Sequence, residues 1–212
     1  MTCILGAVFI LLTALALLLT PQTEAQPNIT VQNSLLQISE YVGSNTSYPD
    51  AQGNFHDWVE LHNAGRKPLS LGGYALTDGN NTWMLPSMEL AADGYLVVFC
   101  DGEGKTELHA NLKLKAAGGE TLAIKNAAGE VVESVQTIPL QTNTSAVRGE
   151  KTFTLSERPT PGFPNTDEGY AAFLASRTAV QNELVLSEVM AANAATLQDA
   201  DGQFSDYIEV TN

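Results

Sequence analysis

The side chains that could ligate a metal or move a proton are few in this 212-residue sequence: three histidines, two cysteines and a set of carboxylates. His56 and His62 lie six residues apart, which on a strand puts them on one face but about 20 Å from each other at ~3.3 Å per residue, too far to share an ion. Asp57 and Glu60 could serve as an acid–base pair, but a separation of three sends them to opposite faces of a strand. Asp101-Gly102-Glu103-Gly104 and Asp199-Ala200-Asp201-Gly202 offer oxygen ligands of the kind calcium takes. Neither has the Asp-x-Asp-x-Asp-Gly spacing of a calcium loop, so ordinary acidic turns are expected. No Gly-x-Ser-x-Gly elbow, Gly-x-x-x-x-Gly-Lys phosphate loop or His-Glu-x-x-His pair occurs, and the motif chemistry of hydrolases, nucleotide enzymes and zinc proteases is absent with them. No residue is therefore assigned a catalytic, cofactor-binding or metal-binding role, no cofactor is expected, and the chain is read as not an enzyme.

Cys100 ends the apolar run Tyr95-Leu96-Val97-Val98-Phe99 and reads as a small buried hydrophobe. The uncharged run Ile4 to Leu19 is shorter than the ~20 residues of a bilayer-crossing helix but has the length of a secretory core, and Thr23-Glu24-Ala25 supplies a cleavage site. Residues 1–25 are expected to be a signal peptide. Because Met1-Thr2-Cys3 carries no base, an uncleaved membrane anchor through residues 4–20 is the alternative. The location expected is accordingly secreted or cell surface, or else membrane-anchored. Cleavage would leave Cys100 as the sole cysteine and exclude an intrachain disulfide. It would also leave 23 acids against 10 bases, a formal charge of −13, and such a surface repels nucleic acid. The sequons at Asn28, Asn45, Asn80 and Asn143 matter only in a host that glycosylates them.

The elements that must position these groups are short strands. From Leu35 to about Val135, β-rich runs alternate with Gly, Asn and Asp clusters at the spacing of a sandwich or barrel. Strands are predicted at Leu35 to Val42, Phe55 to Asn63, Leu69 to Leu76, Thr82 to Leu85, Tyr95 to Cys100, Thr121 to Lys125 and Val131 to Val135, with antiparallel neighbours. Within Asp57 to Asn63 the period of two puts Val59 and Leu61 in the core and Trp58, Glu60 and His62 on a face that is at least partly wet. Ser145 to Arg148 and Lys151 to Leu155 make a closing hairpin around Gly149. Pro159, Pro161 and Pro164 make Arg158 to Asn165 an extended exit. A linker, residues 166–183, follows with a helix capped by Thr166 and ending near Arg177; Tyr170, Phe173 and Leu174 share a face expected to lean on a neighbouring domain.

The last stretch restates an earlier one. Gln37-Ile38-Ser39-Glu40-Tyr41-Val42 is answered by Val185-Leu186-Ser187-Glu188-Val189-Met190, and the fourteen residues from Asp50 to Asn63 by those from Asp199 to Asn212, seven of them identical. Trp58 with Tyr207, Val59 with Ile208 and Leu61 with Val210 preserve size. Residues 184–212 are expected to be the truncated start of a second domain, too short to build a core unaided. The recurrence of Glu40 and Glu60 as Glu188 and Glu209 points to a demand of the fold, carboxylates accepting hydrogen bonds from loop amides.

Residues 35–165 resemble the lamin tail domain in its bacterial exported form. The resemblance rests on Ile38-Ser39-Glu40, Asp57-Trp58-Val59-Glu60-Leu61-His62-Asn63, Leu69-Ser70-Leu71-Gly72-Gly73-Tyr74-Ala75-Leu76-Thr77-Asp78, Leu85-Pro86, Asp93-Gly94-Tyr95-Leu96-Val97-Val98-Phe99 and Pro159-Thr160-Pro161-Gly162-Phe163-Pro164-Asn165, in that order. It implies an all-β, immunoglobulin-like antiparallel β-sandwich. It also implies a non-catalytic interaction or scaffolding module that binds protein or cell-surface partners. The alternative it implies is the N-terminal accessory region of a longer exported enzyme, such as a CotH-like kinase, nuclease or phosphatase.

Overall fold

The computed structural model describes residues 34–178 and 185–211. The signal or anchor reading of residues 1–25 falls outside the described residues; among those, no helix is long and apolar enough to cross a membrane. In chain order the elements are β1 (Leu36–Val42), β2 (Asp57–Asn63), β3 (Leu69–Ser70), β4 (Ala75–Thr77), β5 (Thr82–Met84), β6 (Glu89–Leu90), β7 (Tyr95–Cys100) and β8 (His109–Ala110). There follow β9 (Thr121–Lys125), β10 (Val131–Gln136), β11 (Ser145–Arg148), β12 (Phe153–Ser156), α1 (Asp167–Thr178), β13 (Val185–Met190) and β14 (Tyr207–Thr211).

Two sheets form the body, a six-stranded one in the order β12-β11-β1-β2-β7-β8 and a four-stranded one in the order β10-β9-β4-β5. Alternation of side chains explains what lies between them. Ile38, Val59, Leu61 and Val98 from the larger sheet meet Leu76, Leu122, Ile124 and Val135 from the smaller in one buried cluster. Burying each such side chain contributes about 1.5–3 kcal/mol. Cys100 belongs to this core as expected, its thiol pushed far above the usual range by burial. The architecture is an immunoglobulin-like all-β sandwich.

The expected run Leu69 to Leu76 is broken in two. Gly73, at φ 89°, turns the chain, so β3 pairs with β6 in a separate ribbon while β4 joins the four-stranded sheet. Two strands carried no sequence signal, β6 and β8, each only two residues long. β8 also departs from the antiparallel expectation, because it lies parallel to β7 with Phe99 opposite His109 and Cys100 opposite Ala110.

The outer face of β2 is not wet at its centre. Trp58 is 1 % exposed and Glu60 fully buried, because the chain after β12 folds back over them. Thr166 caps α1 through its hydroxyl, which accepts from the Gly169 amide at 3.0 Å. Helix α1 then lays Phe173 against Tyr48, with ring centroids 5.9 Å apart, while Tyr48 meets Trp58 edge-on at 6.2 Å and stacks on Phe99 at 5.9 Å. The helix thus leans on its own sandwich rather than on a neighbouring domain, and Leu174 stays largely exposed.

Candidate functional site

Three glutamate carboxyls are buried within the body, and each is held by its own chain. A register shift between Ile38 and Glu40 in the β1–β2 ladder leaves Ser39 as the extra residue, which re-aims both neighbours. The freed Ile38 amide donates to Glu133 Oε1 at 2.7 Å, and Arg148 Nη1 donates to the same oxygen at 2.9 Å. Glu40 and Glu60 stand as Cα partners across the ladder. Glu40 Oε2 accepts from the Thr160 amide and hydroxyl at 3.0 and 3.1 Å; Glu60 accepts from Ser39 Oγ at 2.5 Å and from the Gly162 amide at 2.6 Å. Asn165 Nδ2 completes the attachment by donating to Ser39 O at 3.0 Å.

Burial pushes the Glu40 carboxyl up to about 7 and, with the added repulsion of Glu40, the Glu60 carboxyl up to about 8, against the lowering pull of these hydrogen bonds. Perturbed carboxyls often mark an active site. Here they fasten the exit segment to the sheet, which is the loop-amide role their recurrence in the sequence pointed to. Asp57 is not the partner of Glu60; the strand opposite supplies it.

A second cluster forms at one end of the six-stranded sheet. Pairing of Asp57 with Cys100 sets the start of β2 beside the end of β7, and the parallel β8 brings His109 to the same place. Asp50 sits in the β1–β2 loop, where its Oδ1 accepts from the amides of Gln52 at 2.9 Å and Asn54 at 2.8 Å. Its Oδ2 faces His56 Nε2 at 3.4 Å and His109 Nε2 at 3.8 Å. The ligating atoms of Asp50, His56 and His109 all lie within 4.8 Å of one another. Behind His109, Nδ1 meets Asp101 Oδ2 at 3.0 Å. Burial alone would raise the carboxyls of Asp50 and Asp101, but amide donors and the adjacent His109 outweigh it and hold both below the usual range.

Sequence spacing found none of this grouping. The distance between His56 and His62 is correctly large, since His62 hydrogen-bonds Asp93 at 2.8 Å and stacks on Tyr95 at 4.3 Å. What joins His56 to His109 is a cross-strand contact through β8. The acidic turns behave as expected of turns: Asp101 Oδ1 accepts from the amides of Glu103 and Gly104, and Asp199 Oδ1 from those of Asp201 and Gln203. The Asn45 sequon is not free for modification in the folded chain, because Asn45 is buried with Nδ2 donating to Tyr48 O and His56 O.

The hairpin β13–β14 reproduces β1–β2 in detail. Its register shift falls between Leu186 and Glu188, and Ser187 Oγ donates to Glu209 Oε1 at 2.5 Å as Ser39 does to Glu60. Asn193 Nδ2 holds Ser205 O as Asn45 holds His56 O. The burial is opposite: Ile38 and Val59 are 0 % exposed, whereas their counterparts Leu186 and Ile208 are 57 % and 66 % exposed.

No curated protein matches the sequence. The model of the Lamin Tail Domain matches residues 30–139, more than half of the sequence, from just before β1 to just beyond β10. The Ser39-centred ladder, the two-sheet core and the order of strands all lie within or extend from that stretch, and the chain belongs to the Lamin Tail Domain family.

Proposed function

We propose that this chain is a non-catalytic, exported interaction module that scaffolds protein or cell-surface partners, and that β13–β14 opens a second module of the same kind. The observation that carries the reading is the membership of residues 30–139 in the Lamin Tail Domain family, to which the apolar face of that hairpin adds a surface in need of cover. Leu186, Val189, Ile208 and Val210 are exposed together, and a two-stranded hairpin presenting such a row gains stability only when something covers it. Support comes also from the groups that might have done chemistry. Glu40, Glu60 and Glu133 are buried and bonded to the backbone or to Arg148, so their shifted carboxyls serve the fold. The acidic surface, formally −14 over the whole sequence, favours basic patches on a partner over polyanions.

The test immobilises the chain and measures retention of exported proteins and cell-envelope polymers, alongside an Ile208→Lys, Val210→Lys double variant. Retention that falls with the double variant while the sandwich melts unchanged fits the reading. Equal retention by both forms would remove its basis.

A further inference from the structure

We propose that Asp50, His56 and His109 form a divalent transition-metal site, with Zn²⁺ the best fit, at the end of the six-stranded sheet. The geometry is that of a site waiting for a bridging cation. Asp50 Oδ2 faces two imidazole nitrogens at 3.4 and 3.8 Å, both longer than the ~2.7–3.2 Å of an N–H···O hydrogen bond. Ligand atoms around tetrahedral zinc, at bonds of ~2.0–2.1 Å, stand ~3.3 Å apart. The cluster approaches that spacing, with all ligating atoms within 4.8 Å of one another.

Asp50 and His109 are also held from behind, and His56 through its backbone. Asp101 Oδ2 accepts from His109 Nδ1 at 3.0 Å, which turns the Nε2 lone pair toward Asp50. A metal-ligating histidine almost always donates its other ring N–H to a carboxylate, a backbone carbonyl or a water, and Asp101 fills that role here. The Gln52 and Asn54 amides take Asp50 Oδ1 and leave Oδ2 facing the imidazoles. Asn45 Nδ2 donates to His56 O at 2.8 Å and fixes the backbone there. Two nitrogen donors with a single carboxylate oxygen suit zinc and its neighbours in the first transition row, and argue against calcium or magnesium, which take mostly oxygen.

The second hairpin shows what the turn alone requires. There Ser205 stands in the place of His56, and its hydroxyl donates to Asp199 Oδ2 at 2.8 Å. The same Asp-centred turn, with Asp199 Oδ1 accepting from Gln203, is therefore closed without any imidazole. His56 is not a demand of the fold; with His109 it gives the first copy a ligand set that the second lacks. The open side of the cluster faces a cleft lined by Gln52, Asn54, Glu103, Lys105 and Thr106, which leaves the fourth position to water.

The test uses the full chain, stripped with EDTA and titrated with ZnCl₂ by calorimetry, and with CoCl₂ by visible absorption. The site predicts one ion per chain, the strong visible bands of four-coordinate cobalt, and a melting temperature raised by several degrees with zinc. His56→Ser, which copies the second hairpin and should fold, weakens binding by more than about 100-fold. Asp101→Asn, a positioning change, weakens it by ~10–100-fold, and His62→Ala leaves it unchanged. No saturable binding, wild-type binding by His56→Ser, or equal loss in His62→Ala would overturn the proposal. If His109 were only a charged bridge between Asp50 and Asp101, zinc would leave the melting temperature where it was.

Discussion

Glu40 and Glu60 are directly opposed on adjacent strands, fully buried, and both accept hydrogen bonds from the same exit segment, residues 158–165. Their carboxyls lie near 7 and 8 in the folded chain, above the ~4.3 of an unfolded glutamate. Between those limits the folded state holds more protons than the unfolded one, so stability falls as pH rises from about 5 to 8 and levels off above. Urea midpoints at pH 5, 7 and 9 should decline in that order up to the plateau, the unfolding free energy falling by on the order of 2 kcal/mol or more. Glu60→Gln should flatten the slope. A chain that grows more stable from pH 5 to 8 would contradict the assignment.

Trp58 is enclosed between the sheet and the Tyr48 ring, against which α1 lays Phe173, at 1 % exposure. Replacing it with alanine empties that space and should cost ~3–5 kcal/mol, read as a lower urea midpoint with loss of near-ultraviolet circular dichroism. An unchanged melting temperature would mean that the ring serves a surface role.

Gly169 gives a prediction whose sign decides the matter. Alanine in the first turn of an exposed helix normally stabilises by up to about 1 kcal/mol over glycine. Here its Cβ would collide with the Pro164 carbonyl oxygen, so α1 must lift and draw Phe173 away from Tyr48. Gly169→Ala should therefore destabilise by ~1–3 kcal/mol, and any rise in melting temperature would show that the close approach does not exist in solution.

The hairpin β13–β14 matches β1–β2 in register but leaves bare the apolar side chains that β1–β2 buries. Hydrogen exchange should find the amides of residues 185–211 exchanging orders of magnitude faster than those of β7, since opening the hairpin exposes little new apolar surface. Equal protection in a monomer would mean that something already covers it.

Local pattern made much of the sandwich readable. β7, β9 and β11 fall on the bounds that alternation and flanking turn residues set for them, and the amide-binding role of Glu40 and Glu60 is legible through their recurrence, but not the burial of Glu60, which alternation along β2 assigns to the outer face. What stayed hidden depends on segments meeting from afar. Nothing in Trp58 or its neighbours announces that the prolines a hundred residues later will return to cover it. Nothing near His109 announces the two-residue parallel pairing that carries it to His56, because so short a strand has no period to read. The break at Gly73 was open to view as a Gly72-Gly73 pair, yet the flanking apolar residues masked it as one continuous run.

The match to the Lamin Tail Domain stops at residue 139, but β11 still adds to β1, and Thr160 and Gly162 still seal two carboxyls. A fragment cut at that limit would offer the bare flank of β1 to any passing strand and admit water to Glu40 and Glu60, which would then ionise. Such a fragment should aggregate at neutral pH, and the smallest piece worth expressing alone runs to about residue 178, where α1 ends.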